Sequence, residues 1–118
     1  MIQFNDAEPI FIQIRQQLIE MILTGTVSEG EPLPSVRQIA VDLSVNPLTV
    51  TKAYQSLVDL EIIEKRRGLG MFVSKGGTER LLKHERDKFL TEEWPRIEVR
   101  MKTLQLDPNE LMKKGPGK

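Results

Sequence analysis

The 118-residue sequence is long enough for one compact domain and a modest appendage, and its 39% hydrophobic and 29% charged residues exclude a disordered chain. No apolar run reaches the roughly 20 residues of a membrane span, residues 1–5 show no secretory signal, and the lack of cysteine excludes disulfides and thiolate metal sites. Net charge is zero overall, but −4 over residues 1–34 and +2 over each of residues 35–75 and 76–118. Composition is thus compatible with a reducing cytosol, and we expect a cytoplasmic protein without membrane association. It also permits nucleic-acid binding without requiring it.

The first predicted helix runs from Pro9 to Thr24. Its inner stripe repeats at helical spacing and consists of Phe11, Ile14, Leu18, Met21 and Ile22. Gly25 is placed to end this helix in the left-handed conformation, and residues 26–34 are rich in glycine and proline. We therefore expect a helix followed by a loop.

Two further helices follow, separated by a tight turn. Ser35, with Gln38 three residues later, is a capping-box pattern that starts a short helix ending near Leu43. Asn46-Pro47 combines a favoured N-cap with a favoured first helical residue, and so starts a helix that continues to about Leu60. The predicted inner residues of this third helix are Val50, Ala53, Tyr54, Leu57 and Leu60.

The pattern then changes to that of short strands. Residues 62–66 and 71–74 are strand-like, and Arg67-Gly68-Leu69-Gly70 joins them, so a β-hairpin is predicted. The fold class is therefore mainly α with a small β-hairpin. Three helices and a hairpin in this order form a winged helix-turn-helix, whose third helix can enter a DNA major groove.

The remaining segment predicts a short helical tail. Gly76-Gly77 is interpreted as a hinge, which gives a winged helix-turn-helix domain over residues 1–75 and a dimerisation domain over residues 76–118. Trp94-Pro95 is expected to break or kink the tail helix. An apolar stripe among dense charges is expected to be exposed and to pair with a second copy; its residues are Leu82, Phe89, Ile97, Met101 and Leu104. The alternative is that the tail folds back on its own winged helix.

Two polar surfaces favour contact with DNA. The outer face of the third helix carries short hydroxyls, one amide and one cation: Thr49, Thr51, Lys52, Gln55 and Ser56. The hairpin tip carries three consecutive cations beside glycine: Lys65, Arg66, Arg67 and Gly68. Such surfaces suit phosphates and base edges, although a solvated helix face and an ordinary turn would look similar.

Several short motifs in fixed order resemble the DNA-binding domain of the GntR family of bacterial regulators. They span residues 33–40, 43–50 and 53–57, and the wing Arg67-Gly68-Leu69-Gly70-Met71-Phe72-Val73 matches the family's G-x-G-x-F-V ending. The resemblance extends over residues 9–74. Asn46-Pro47, followed by Thr49-Val50 and Ala53-Tyr54, is similar to the YtrA subgroup in particular.

The resemblance implies specific DNA contacts. Arg37 matches the family's DNA-contacting arginine of the second helix, Asn46, Thr49 and Thr51 match the start of its recognition helix, and Arg67 with Gly68 matches the wing tip. Pro47 departs from the family, since many relatives have an arginine there, and Lys52 is placed to compensate. The candidate DNA-binding residues are therefore Ser35, Arg37, Asn46, Thr49, Thr51, Lys52, Gln55, Arg66, Arg67 and Gly68.

The resemblance also implies a role. It predicts a homodimeric transcriptional regulator that binds inverted-repeat operator DNA and represses genes, often a nearby transporter operon. The sequence leaves open whether a small-molecule effector controls it, and neither a cofactor nor a metal is expected. Nothing favours an enzyme, because His84 is the only histidine and no catalytic set stands out. The alternative function is a winged helix that binds protein or RNA.

Overall fold

The computed structural model describes residues 7–114. Residues 1–6, where no secretory signal is predicted, and residues 115–118 lie outside this range, as do the corresponding ends of the two predicted domains. The described part contains two β-strands and a series of helices, with bounds α1 Ile10–Leu23, α2 Val36–Leu43, α3 Pro47–Asp59, β1 Ile63–Arg66, β2 Gly70–Val73, α4 Gly77–Lys88, a π-helical turn Phe89–Glu93, α5 Trp94–Thr103 and α6 Pro108–Lys114. The predicted fold class, mainly α with a β-hairpin in a winged helix-turn-helix, is confirmed.

Helix α1 packs the apolar stripe that the sequence predicts. Ile14, Leu18 and Ile22 are fully buried, and Gly25 follows the helix with a φ of +82°. Ile19 is also fully buried although it lies beside the predicted stripe, because α1 faces the core on a wide arc. Gln13, which is not part of the predicted inner stripe, is buried and donates a hydrogen bond to the Glu8 carbonyl at 3.0 Å.

The turn between α2 and α3 depends on local capping. The Ser35 hydroxyl accepts from the Gln38 amide at 3.0 Å, and the Asn46 side chain accepts from the Leu48 amide at 2.8 Å. Ser44 ends α2 in the left-handed conformation, with a φ of +54°. The two helices are thereby fixed at their facing ends, with two residues between Ser44 and the start of α3.

Helix α3 is anchored by its inner face. Val50, Ala53, Tyr54 and Leu57 are fully buried, and the Tyr54 hydroxyl donates to the Pro34 carbonyl. Burial raises the pKa of this hydroxyl well above its usual range, so that it remains a hydrogen-bond donor. Leu60, predicted to be buried, is partly exposed because α3 ends at Asp59 and the chain turns away through Glu61, which has a φ of +61°.

Strands β1 and β2 form an antiparallel hairpin in which Ile63 pairs with Val73 and Arg66 with Gly70. The loop before α2 pairs with the other edge of β2. The Leu33 amide donates to the Met71 carbonyl at 2.8 Å, and the Gly30 amide donates to the Val73 carbonyl at 2.8 Å. Residues predicted to form a loop therefore hydrogen-bond to the edge of β2 that does not face β1.

The predicted hinge at Gly76-Gly77 is wrong for Gly77. This glycine is buried at the start of α4, and a Cβ there would lie 2.2 Å from the Ile62 carbonyl oxygen. Leu81, one turn later, is fully buried in the same core. The first compact unit therefore ends at Leu82, beyond residue 75, because the first turns of α4 complete its core.

The second compact unit begins at Lys83. Instead of a break at Trp94-Pro95, the chain passes through a π-helical turn in which the Trp94 amide donates to the Phe89 carbonyl. Pro95 has no N–H to donate to the preceding turn, and a widened turn accommodates it. Asp107 accepts from the Asn109 amide at 2.9 Å and so caps α6. No helix in residues 7–114 is long and apolar enough to cross a membrane.

Candidate nucleic-acid interface

The outer face of α3 is polar and accessible. Thr51, Lys52 and Gln55 are exposed and Thr49 is half-buried, whereas the core side of the helix is fully buried. Because residues three and four apart share a helix face, Thr51, Lys52 and Gln55 lie on one side. This face offers a hydroxyl, an ammonium and an amide, which can donate to phosphate oxygens or to base edges.

Two of the predicted DNA-binding residues are helix caps. Ser35 and Asn46 each accept a hydrogen bond from the backbone of their own helix. The Ser35 hydroxyl and the Asn46 NH2 group donate no hydrogen bond within residues 7–114, although both are able to donate. Both residues therefore hold a helix N-terminus in place and retain a donor at the surface.

Two α3 side chains are held along the protein surface. The Lys52 ammonium lies 4.0 Å from the centre of the Phe11 ring on α1, and the Gln55 amide donates to the Asp59 carboxylate at 2.8 Å. An exposed cation–π contact stabilises by about 0.5–1 kcal/mol, so a phosphate can replace it. Phe11 thus restrains Lys52 without removing it from the interface.

Arg37 extends from the first turn of α2 into an open groove. The groove is lined by Val36, Arg37, Ala40, Val41, Val45 and Pro47. Arg37 is exposed and has no hydrogen-bond or ion-pair partner within residues 7–114. The structure thus places this arginine beside the start of α3, as an unneutralised charge next to the predicted recognition helix.

The cations of the wing differ in whether other side chains of the wing contact them. Arg66 pairs with Glu64 at 3.2 Å and lies over the Phe72 ring at 4.2 Å, so it is drawn back along the hairpin. Lys65 and Arg67 are exposed and, in the described part of the chain, have no partner. Gly68 has a φ of +76°, which allows the tight turn that presents Arg67.

The wing tip and α3 remain separate parts of the surface. Among residues 7–114, no hydrogen bond, ion pair or ring contact joins Arg67 or Gly68 to α3. The predicted residues therefore form two groups, one on the facing ends of α2 and α3 and one on the turn of the hairpin. Both groups belong to the first compact unit.

Sequence reasoning missed Arg15 as a member of this surface. Its Nε donates to the Ser56 hydroxyl at 3.0 Å, which places a cation of α1 beside α3. Arg15 is the only basic residue among the first 34, and a single cation in an acidic segment is the one sequence feature that could have indicated it. The contact spans 41 residues, so it could not be read from local spacing.

The five predicted dimerisation residues differ in exposure. Leu82, Phe89, Ile97 and Leu104 are between 40% and 49% exposed. Met101 is only 8% exposed, so its predicted place in an exposed stripe is wrong. The Phe89 ring lies 6.5 Å from that of Trp94, centre to centre, across the π-helical turn. Four of the five residues thus remain available to a partner.

Comparisons with known proteins agree with this geometry. The family described as "Bacterial regulatory proteins, gntR family" matches residues 12–73. The HTH-type transcriptional regulator YhcF of Bacillus subtilis is 32% identical over 110 residues, which cover 93% of this chain and 89% of YhcF. The HTH-type transcriptional repressor YtrA of the same organism is 44% identical over 77 residues, 64% of this chain and 59% of YtrA.

A solved structure extends the agreement to the fold. The GntR family transcriptional regulator from Listeria monocytogenes superposes with a TM-score of 0.76 at 35% identity, covering 93% of this chain and 95% of that protein. The coverage includes the tail as well as the winged helix-turn-helix. The family resemblance predicted from the sequence motifs is confirmed, and these relatives are regulators rather than enzymes. The chain belongs to the GntR family, is YtrA-like within it, and is a DNA-binding transcriptional regulator.

Proposed function

We propose that the protein is a homodimeric repressor that binds an inverted-repeat operator through α2, α3 and the wing. The observation that carries the proposal is a group of three exposed cations that have no partner within residues 7–114: Arg37, Lys65 and Arg67. They belong to the unit that also presents the polar face of α3. A charge that is not neutralised within the protein is available to a phosphate. Release of counterions from DNA then favours binding.

The contacts have separate roles in this proposal. Arg37 and the wing cations contact phosphates and set the position of the protein on the duplex, without selecting the sequence. Thr51 and Gln55, on the exposed face of α3, contact base edges in the major groove. Lys52 moves from the Phe11 ring to a phosphate. The surface thereby supports DNA binding although the net charge of the chain is zero.

The exposed apolar side chains of the tail favour association with a second copy. In residues 83–114, large apolar side chains are exposed in the π-helical turn and on α5 and α6, and Met101 is the only buried one. A monomer rarely exposes this much apolar surface, whereas a two-fold interface covers the same patch on both copies. Two winged helices related by a two-fold axis require an operator with two-fold sequence symmetry, hence the inverted repeat.

Repression is the proposed outcome of binding because the relative YtrA is named a repressor. Its target class is a neighbouring transporter operon, as the family resemblance implies, and it acts in the cytoplasm, where bacterial DNA lies. A small-molecule effector is not part of the proposal.

The test is binding-site selection from random duplex DNA with the purified full-length protein, with its mass in solution measured by light scattering. We expect an inverted repeat to be enriched by a particle of twice the chain mass. Enrichment of a single, non-repeated site by a monomer would contradict the dimer, and no enrichment of any duplex would contradict operator binding. A parallel selection with single-stranded RNA serves as the control for the alternative class of partner.

A further inference from the structure

The exposed face of α3 carries one large apolar side chain. Leu48, in the first turn of this fully described helix, is 76% exposed. Thr51, Lys52 and Gln55 follow it by three, four and seven residues, so all four lie on the side opposite the core. The leucine is therefore a large apolar group at the N-terminal end of the polar surface proposed to face DNA, where water gives it no favourable contact.

The backbone of Leu48 is held at the N-terminal end of α3. Its backbone amide donates to the Asn46 side chain at 2.8 Å, which anchors the first turn of α3. Pro47 precedes it, is exposed, and lines the groove between α2 and α3 together with Val41 and Val45. Leu48 is thus one of several accessible apolar side chains at the N-terminal end of α3, and this end of a recognition helix contacts base edges.

We propose that Leu48 reads a thymine in each half-site through an apolar contact with its C5-methyl group. This inference rests on the proposed function, in which α3 enters the major groove. Thymine is the only DNA base that presents a methyl group there, and the minor groove presents none. Contact between the leucine and the methyl removes both from water, so the position prefers thymine over cytosine.

The experiment uses the selected operator with each thymine replaced in turn by deoxyuridine. This replacement keeps the base pair and removes only the C5-methyl group. For the full-length protein, we expect the Kd to rise about fourfold at one thymine position per half-site, the effect of one buried methyl group. Every other thymine should tolerate the replacement.

Two variants assign the effect to Leu48. Leu48→Ala should bind the thymine and deoxyuridine forms of that position equally. Val99→Ala is the control, because Val99 is 65% exposed in the second unit and belongs to no surface proposed to contact DNA. It should keep the fourfold difference, and thermal melting should show that both variants fold like the parent.

The experiments distinguish failure of this inference from failure of the proposed function. If an inverted repeat is selected but no deoxyuridine changes the Kd, or if Leu48→Ala keeps the difference, Leu48 does not read a methyl group and operator binding stands. If no duplex is selected at all, operator binding fails and this inference fails with it.

Discussion

The two compact units differ in how much apolar surface they bury within one chain. The first unit, up to Leu82, encloses a continuous core that includes Ile14, Tyr54 and Leu81. In the second unit, from Lys83, Met101 is the only buried large apolar side chain among the described residues. The first unit therefore reaches its fold within a single chain, whereas the second presents apolar surface that a partner is expected to cover. In the proposed function, the division separates the surface proposed to contact DNA from most of the surface proposed to associate with a second copy.

The largest effect is expected from two neighbouring leucines on α4. Leu81 is fully buried in the first unit, whereas Leu82 is 47% exposed. Leu81→Ala should lower the free energy of unfolding by about 2–5 kcal/mol, because it leaves a cavity in a closed core. Leu82→Ala, the matched control, should change it by much less at a protein concentration that saturates the dimer. Denaturant unfolding measures both, and equal losses would contradict the assignment of Leu81 and Leu82 to core and surface.

The next effect concerns association. Phe89→Asp should weaken the dimer by about 2 kcal/mol or more, since a charge replaces an aromatic anchor in the apolar surface. Val99→Asp is the control, because Val99 is 65% exposed on the side of α5 opposite Ile97. Light scattering over a dilution series should show monomers for the first variant and dimers for the second. The same mass for both variants at every concentration would mean that this face does not mediate association.

A smaller effect on DNA binding is expected from Arg37 of α2, which has no partner within residues 7–114. Arg37→Ala should cost about 1–3 kcal/mol per half-site and should reduce the salt dependence of binding by about one phosphate contact per chain. Lys83→Ala is the control, because Lys83 lies in the second unit and pairs with Asp87 at 3.7 Å. Fluorescence anisotropy with the selected operator at several salt concentrations measures both. An unchanged salt slope for Arg37→Ala would show that Arg37 does not contact phosphate.

The smallest effect distinguishes two adjacent arginines of the wing. Arg66 is engaged by Glu64 and Phe72, whereas Arg67 is exposed without a partner in the described part of the chain. Arg67→Ala should therefore weaken operator binding more than Arg66→Ala, because Arg66 must first leave Glu64 and Phe72, which costs up to about 1 kcal/mol for a surface pair. The ratio of the two Kd values is the measurement. A larger loss for Arg66→Ala would mean that the wing rearranges on DNA.

Local chemistry made the helix-turn-helix predictable from the sequence. Ser35 and Asn46-Pro47 set helix starts through atoms within three residues, and the structure contains both caps. The sequence predicts a hinge at Gly77, whereas this glycine allows close packing against the Ile62 carbonyl. That contact joins distant segments, so local sequence does not show it. The Arg15–Ser56 hydrogen bond was missed for the same reason. Helical periodicity identifies the apolar residues of the tail but does not show which of them are buried. The sequence analysis therefore places the buried Met101 in a stripe with exposed residues.

The central claim is that two copies of the first unit, joined through the tail, bind one inverted repeat. The most direct test is the mass of the protein–DNA complex on the selected operator and on a single half-site, with both affinities measured in the same buffer. We expect two chains on the full operator, and a Kd for the half-site at least tenfold higher, since linked sites raise the effective concentration. One chain per operator, or equal affinity for both duplexes, would contradict the account.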